Sequence, residues 1–471
     1  MFAPRNKAAV MAAYLAMLAA AAGAFWLVVR QGEGLVAPPP EGAPFAAGSA
    51  ATHGADPLVH FLLALAVIIA VARALGALFA RIGQPPVIGE VVAGILLGPS
   101  VLGHLAPGVA AFLLPAAITP HLGLVSQVGI VLFLFLVGVE LDTSMLRDKS
   151  GPATAVAHAS VVAPFALGST FALYAYPRLS SSDVPFHVFA LFLGVSLSVT
   201  AFPVLARILR DQRLDHTPLG VTALTCAAID DVTAWCLLAF VVGIARADVG
   251  GAVRTVAGTA VFLVAMVLLA GPVVRRWVAR YGPARPPGQA ALATALVALL
   301  ASALATEVIG IHALFGAFIL GALVPHGSEV AAYLHRKLDD MVVVLLLPAF
   351  FALSGLRTEI GLLGGASDWL LVAFVVLLAT AGKLGGTALA ARLSGFGWRD
   401  ATALGALLNT RGLMQLIVLN VGLELRAISP KLFAVLVVMA LVTTLMTAPL
   451  LRALTSTASR VAPGARASRP T

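Results

Sequence analysis

Four charged side chains fall inside apolar runs, where charge is costly, and their chemistry frames the reading of the whole chain. Asp230 and Asp231 are adjacent in Thr222–Leu238 (TALTCAAIDDVTAWCLL), Lys383 sits in Leu378–Ala388 (LATAGKLGGTA), and Arg411 sits in Leu408–Gln415 (LNTRGLMQ). An ionisable group at bilayer depth costs about 3 kcal/mol or more, so it marks a functional position by default. Adjacent helical positions point about 100° apart. One acid can therefore pair with Lys383 while the other faces a cavity. Two carboxylates this close in a low dielectric do not both ionise freely without a cation nearby. A proton and a monovalent cation then compete for the same acid, and that competition is the chemistry of exchange. A salt bridge that merely pins two helices needs one Asp, so the second acid speaks against a purely structural pair.

Two of the apolar runs carry breaks at corresponding places. In Ser196–Val204 (SLSVTAFPV) the residues Ser198, Thr200 and Pro203 interrupt an aliphatic run, and in Leu408–Gln415 the break is Asn409, Thr410, Arg411 and Gly412. Proline removes a backbone donor and glycine loosens a helix. The freed peptide groups must find partners in lipid or line a wet cavity. Arg411, with Asn409 and Thr410, is expected to offset the partial charges of half-helix ends where the two breaks meet. Glu90 (Val87–Val91, VIGEV) reads equally as part of a cation-access funnel and as an interfacial acid. Glu307 and His312 flank a short external turn and read as interfacial. Asp339 and Asp340 are expected to begin a span on the cytoplasmic side.

The elements that must position these residues are membrane helices. The 471 residues are 60% hydrophobic and only 11% charged, against about a quarter charged in a soluble domain. The formal charge of +9 comes from basic residues scattered between apolar runs. That pattern suits membrane orientation and excludes a nucleic-acid surface, which clusters them with aromatics. Cys226 and Cys236 lie ~15 Å apart along one helix, too far to bridge. No metal-ligand spacing, cofactor motif or enzyme constellation is present.

Fourteen apolar stretches of near-spanning length run from Ala8–Val29 to Leu432–Leu454. Counting Lys and Arg on alternate sides places 21 on one side and 7 on the other, with Lys383 and Arg411 inside spans. The rich side, which holds the C-terminus, is expected to be cytoplasmic. The organisation follows: residues 1–56 form an N-terminal anchor or signal segment and linker, 57–455 a transport unit, and 456–471 a cytoplasmic tail. Length favours a retained anchor over a cleaved signal.

An internal repeat is visible. Phe135–Asp142 (FLVGVELD) matches Ala352–Glu359 (ALSGLRTE), and Gly94–Pro99 (GILLGP) matches Gly316–Pro325 (GAFILGALVP) more loosely, at offsets near 217 and 222. Seven spans separate the copies, and an odd number makes them face opposite ways.

Gln84–Gly103 (QPPVIGEVVAGILLGPSVLG), Ser196–Leu209 (SLSVTAFPVLARIL), Ile229–Trp235 (IDDVTAW) and Asn409–Gly422 (NTRGLMQLIVLNVG) together resemble the monovalent cation:proton antiporter-2 family, nearest its cation/proton exchanger branch and bacterial relatives. The resemblance runs from about Leu58 to Leu450, with the four motifs in the family's order. It implies an all-α polytopic membrane protein of about thirteen transmembrane helices, with inverted repeats and two crossing broken helices, to which this chain adds an N-terminal apolar segment. Interleaved dimerisation and core domains, a homodimer and an elevator-like alternation of access in the bacterial inner membrane are implied in the same way. So are the roles. Asp231 matches the acid that binds cation and proton, Asp230 the preceding position, and Lys383 the basic residue that pairs with that first acid. Thr200 and Ser198 match broken-helix ligands, and no resident cofactor is implied. The expected function is Na+ or K+ exchange for H+, with a cation channel or a sodium-coupled organic-anion carrier as the rival readings. The Asp at 230, where plant exchangers carry an Asn-Asp pattern, opens the route to electrogenic exchange. Many relatives continue into a cytoplasmic regulatory domain after the last span, where this chain continues for about twenty residues.

Overall fold

The computed structural model describes residues 7–39, 57–141, 152–214, 217–246 and 249–456. The linker at 40–56 and the tail from 457 onward lie outside the described residues. Backbone polar groups in hydrocarbon must be satisfied within their own segment, which selects helices for apolar runs of this length. The described residues are accordingly helical almost throughout.

Setting aside short helices such as Leu102–Leu105 and Pro107–Leu113, the helices in chain order are α1 (Lys7–Gly32), α2 (Pro57–Arg81), α3 (Pro86–Leu97), α4 (Thr119–Glu140), α5 (Pro152–Leu179), α6 (Phe186–Ser198), α7 (Phe202–Asp211) and α8 (Pro218–Arg246). They continue with α9 (249–278), α10 (Gln289–Ile309), α11 (Ala313–Leu323), α12 (329–356), α13 (366–393), α14 (Trp398–Leu408), α15 (Leu413–Glu424) and α16 (Pro430–Ser456). Among the described residues twelve spans are long and apolar enough to cross a membrane, with α6 and α7 forming one of them. The pair α14 and α15, bent by 47°, makes a thirteenth. The fourteenth expected span is α11, whose 11 residues reach only ~16 Å. Asp339 and Asp340 do not begin a helix. They lie near the end of an amphipathic stretch starting at Glu329 that runs on into the apolar half of α12.

The helices pack in two groups. One contains α2, α3, α4, α9, α10, α11 and α12; the other contains α1, α5–α8 and α13–α16. The groups meet chiefly where α8 leads into α9 and where α12 lies against α15. In the second group α1 rests on α5 and α6, with Phe25 against Phe165 and Tyr14 against His158.

Helix packing corrects the register of the repeat. A Cβ on Gly138 of α4 would lie 2.3 Å from the Phe318 carbonyl of α11, and one on Gly355 of α12 would lie 2.5 Å from the Val91 carbonyl of α3. Gly138 and Gly355 are 217 residues apart, as expected. Their contacts Val91 and Phe318 are 227 apart. Gly94 and Gly321 approach Ala352 and Phe135 in the same reciprocal manner, at 2.2 Å in both cases. Gly89 and Gly316, 227 apart again, abut Leu75 of α2 and Ser302 of α10. The second offset is therefore 227 and not 222. The paired glycines Gly89/Gly94 and Gly316/Gly321 carry the symmetry, because only a missing side chain allows backbones this close.

Candidate functional site

The two breaks fold onto each other. Helix α6 ends at Ser198 and resumes as α7 at Phe202, where Pro203 fits the first turn because its missing N–H would have no partner there. Helix α14 ends at Leu408 and α15 begins at Leu413. Between them the extended strands of chain touch: Ala201 N–H donates to the Thr410 carbonyl at 3.0 Å, and Thr200 Oγ1 lies 3.3 Å from the Leu408 carbonyl. Half-helix ends of both signs thus converge at one point in the middle of the second group.

Arg411 sits at one of those ends. Fully buried, its guanidinium donates to the carbonyls of Val199 at 2.9 Å, Ser196 at 3.2 Å and Leu197 at 2.5 Å, and to Gln415 Oε1 at 3.2 Å. These are carbonyls at the C-terminal end of α6, which the helix cannot satisfy itself. Thr410 Oγ1 donates to the Leu407 carbonyl at 2.7 Å and so serves the end of α14. Both polar side-chain atoms of Asn409 are buried and carry no hydrogen bond.

The acids sit beside this crossing, on α8. Asp230 and Lys383 are both 0% exposed, with Lys383 Nζ 3.2 Å from Asp230 Oδ2. The same oxygen accepts hydrogen bonds from Ser160 Oγ at 2.5 Å and Thr200 Oγ1 at 2.7 Å, and Lys383 also donates to Thr200 Oγ1 at 2.6 Å. Charge-assisted hydrogen bonds of this kind are the strong ones. Lys383 lies in a π-helical turn, Ala381–Gly385, flanked by Gly382 and Gly386. A Cβ on Gly382 would lie 2.8 Å from Pro164 Cα, and one on Gly386 2.5 Å from Ala163 Cβ. That close approach of α13 to α5 is what brings Ser160 and Lys383 to the same carboxylate oxygen.

Asp231 is placed differently. It is 5% exposed, and its Oδ1 has no hydrogen-bond partner. The Phe202 backbone N–H, at the start of α7, lies near its carboxylate. A helix N-terminus is a natural site for negative charge. The neighbouring acids thus differ in their side-chain donors, three on Asp230 Oδ2 and none on Asp231, as their 100° separation allows, while the Oδ1 of each has no hydrogen-bond partner.

Of the expected residues, the fold gathers Asp230, Asp231, Thr200, Lys383, Arg411 and the Asn409–Thr410 break. It does not bring Ser198 to the acids, because its hydroxyl donates to the carbonyls of Gly194 at 2.7 Å and Val161 at 3.0 Å. Glu90 belongs to the first helix group, buried on α3 with Arg73 Nη1 4.0 Å away. Glu307 is exposed and accepts the Ala313 N–H at 2.9 Å, capping α11. Sequence reasoning missed Ser160 and the Phe202 amide. The only trace of Ser160 was a small hydroxyl four residues before an in-helix proline, Pro164.

Residues 64–453 match the family described as sodium/hydrogen exchanger, transmembrane. The chain is 45% identical over 397 residues to the Na(+)/H(+) antiporter NhaS4 of Synechocystis, covering 83% of this chain and 96% of that protein. It is 40% identical to cation/H(+) antiporter 20 of Arabidopsis thaliana, over 83% of this chain, and 33% identical to K(+)/H(+) antiporter 1 of Saccharomyces cerevisiae, over 84%. The chain spans about half the length of these last two, 48% and 46%. In fold it is similar to the sodium proton antiporter MjNhaP1 of Methanocaldococcus jannaschii, with a TM-score of 0.59 at 14% identity, covering 85% of this chain and 99% of that one.

Proposed function

The chain belongs to the sodium/hydrogen exchanger family, and from that premise we propose that it exchanges Na+ or K+ for H+ by alternating access, with Asp231 as the carrier. The observation that carries the assignment is the unequal treatment of the two acids. Asp230 Oδ2 is held by Ser160, Thr200 and Lys383, while no side-chain donor among the described residues reaches Asp231; the Oδ1 of each acid has no hydrogen-bond partner. A carrier group must release its ligand in every cycle, and a carboxylate held by no ammonium or hydroxyl can hold a cation and a proton in turn.

Asp230 acts as the switch in this reading. A cation drawn to the acids competes with the Lys383 ammonium for the shared carboxylate. Displaced from Asp230 in a desolvated site, Lys383 releases its proton. Asp231 supplies one proton and Lys383 a second, so each monovalent cation exchanges for two protons and transport is electrogenic. Arg411 keeps the half-helix ends together while the site changes occupancy. Residues 57–455 form the transport unit, the protein works as a homodimer in the inner membrane, and the Lys/Arg asymmetry places the C-terminus in the cytoplasm. The two helix groups are candidates for its moving and stationary parts.

In proteoliposomes with an imposed pH gradient, wild type dequenches a pH dye on adding Na+ or K+, and the Asp231→Asn variant does not. A variant carrying Asp231→Asn that still dissipates the gradient refutes the carrier assignment. With voltage clamped by ionophore, rates indifferent to potential refute the two-proton scheme. A Li+, Na+, K+ and Rb+ series in the same assay identifies the cation.

A further inference from the structure

The seam between the two helix groups carries a polar assembly that the acids do not use. Arg357, at the end of α12, donates through Nη1 to Asn420 Oδ1 at 2.8 Å and to Glu424 Oε1 at 3.0 Å, both on α15. Asn420 Nδ2 donates back across the seam to Ser354 Oγ of α12 at 2.8 Å. Side chains of the first group are thus tied to the broken helix of the second by three hydrogen bonds, one of them an ion pair. Arg357 is part-buried at 20% side-chain exposure and Glu424 is exposed at 38%, so water reaches their pairing from the Glu424 side.

This tie lies in the wall of a cavity of about 350 Å³ between α4, α11, α12 and α15, lined among others by Ser126, Glu307, His312, Arg357, Asn420 and Glu424. The deeper wall is apolar and closed, with Phe350 and Ile417 at 2% and 1% exposure. Asn420 lies eight residues beyond Gly412, ~12 Å along α15 from the crossing beside the acids. Lys/Arg counting puts Arg357 on the side opposite the cytoplasm. The cavity therefore lies between the outer face and the ion site, along the helix that leads to it.

We propose that Arg357 is a latch on the outer access route: its guanidinium holds α15 against α12 and occupies Glu424 and Asn420, the groups that would otherwise receive an incoming monovalent cation. In the latched state the positive charge of Arg357 stands where that cation would stand. Release separates α12 from α15, opens the cavity toward the crossing and frees the Glu424 carboxylate from Arg357 for cations from outside. Arg357 is a positioning residue, acting through α15 on access and not on the acids themselves. The inference rests on the antiport reading for its purpose, while the latch itself is testable without transport.

The test places one cysteine at Ser126, which is 2% exposed in the cavity wall, in a full-length background with Cys226→Ser and Cys236→Ser. Spheroplasts are treated with a membrane-impermeant maleimide. Arg357→Gln and Glu424→Gln, which break the same pair from opposite ends, each raise the labelling rate roughly tenfold, the population change equivalent to 1.4 kcal/mol. The charge swap Arg357→Glu with Glu424→Arg returns it toward the starting rate. Labelling that is unchanged in both single variants, or that stays fast in the swap, overturns the latch. In oriented vesicles carrying the native cysteines, Arg357→Gln lowers the KM for outside cation and leaves the cytoplasmic KM unchanged; equal change on both faces overturns the proposal. If wild type shows no cation-dependent proton flux, the antiport reading fails, and the labelling arm still decides the latch.

Discussion

Lys383→Met tests the central pair by removing one partner from a fully buried ion pair while keeping a chain of similar length. In the native protein Asp230 Oδ2 receives Lys383, Ser160 and Thr200, and neither charged residue is solvent-exposed. The variant leaves the carboxylate with two hydroxyl donors and no counter-charge. Removing one member of a buried pair costs about 3–5 kcal/mol, because the remaining charge stays desolvated. An exposed pair would contribute at most about 1 kcal/mol. The double variant Asp230→Asn with Lys383→Met removes both charges and recovers most of the loss, since a buried pair replaced by neutral groups is close to neutral in stability. The coupling between the two sites is then about 2 kcal/mol or more, measured as a double-mutant cycle from SDS unfolding in mixed micelles. A single-variant loss below about 1 kcal/mol, or a double variant whose loss equals the sum of the singles, refutes the account of the pair as desolvated and mutually dependent.

Ser160→Ala removes the 2.5 Å hydrogen bond to Asp230; it lowers stability by about 2 kcal/mol in the wild-type background and by little in Asp230→Asn, where no charge needs the donor. Unfolding in mixed micelles reads both, and an equal loss in the two backgrounds contradicts the charge argument. Arg411→Gln costs at least about 3 kcal/mol by stranding carbonyls at the end of α6, and Arg411→Lys recovers little, because a single ammonium does not span three carbonyls; a thermally wild-type Arg411→Lys variant contradicts this. Gly138→Ala costs about 1–3 kcal/mol by forcing α4 from α11, and Gly355→Ala costs a similar amount at the reciprocal contact; melting curves in detergent check both, and a neutral Gly138→Ala contradicts the packing argument.

Particular residues show where sequence reading succeeds and where it stops. The place of Arg411 at the crossing was legible because a guanidinium is costly in lipid and this one lies beside a helix break. The α14/α15 break was legible from Asn409, Thr410 and Gly412, since these residue types act on the backbone locally. The pairing of Lys383 with Asp230 spans 153 positions; the sequence offered the charges, but their distance is a property of packing. Ser160 was invisible, because a lone serine in an apolar helix more often bonds its own backbone. Ser198 does so here, toward Gly194. The repeat offset of 222 failed because a loose string match cannot weigh Gly316 against Gly321, while the fold assigns each glycine the helix it touches.

Sequence alone determined that this chain spans a membrane many times, with its cationic residues biased to one side, two broken spans and two adjacent acids in mid-membrane. Those are consequences of hydropathy, charge and local backbone chemistry, which act over a few residues and are written in order along the chain. Only the tertiary structure decided which acid is tied to Lys383 and its hydroxyl neighbours, how α5 and α13 close on them through Gly382 and Gly386, and where Arg357 ties the two helix groups together. Those features depend on approaches of a few ångströms between residues far apart in the chain, and such distances exist only once the helices have packed.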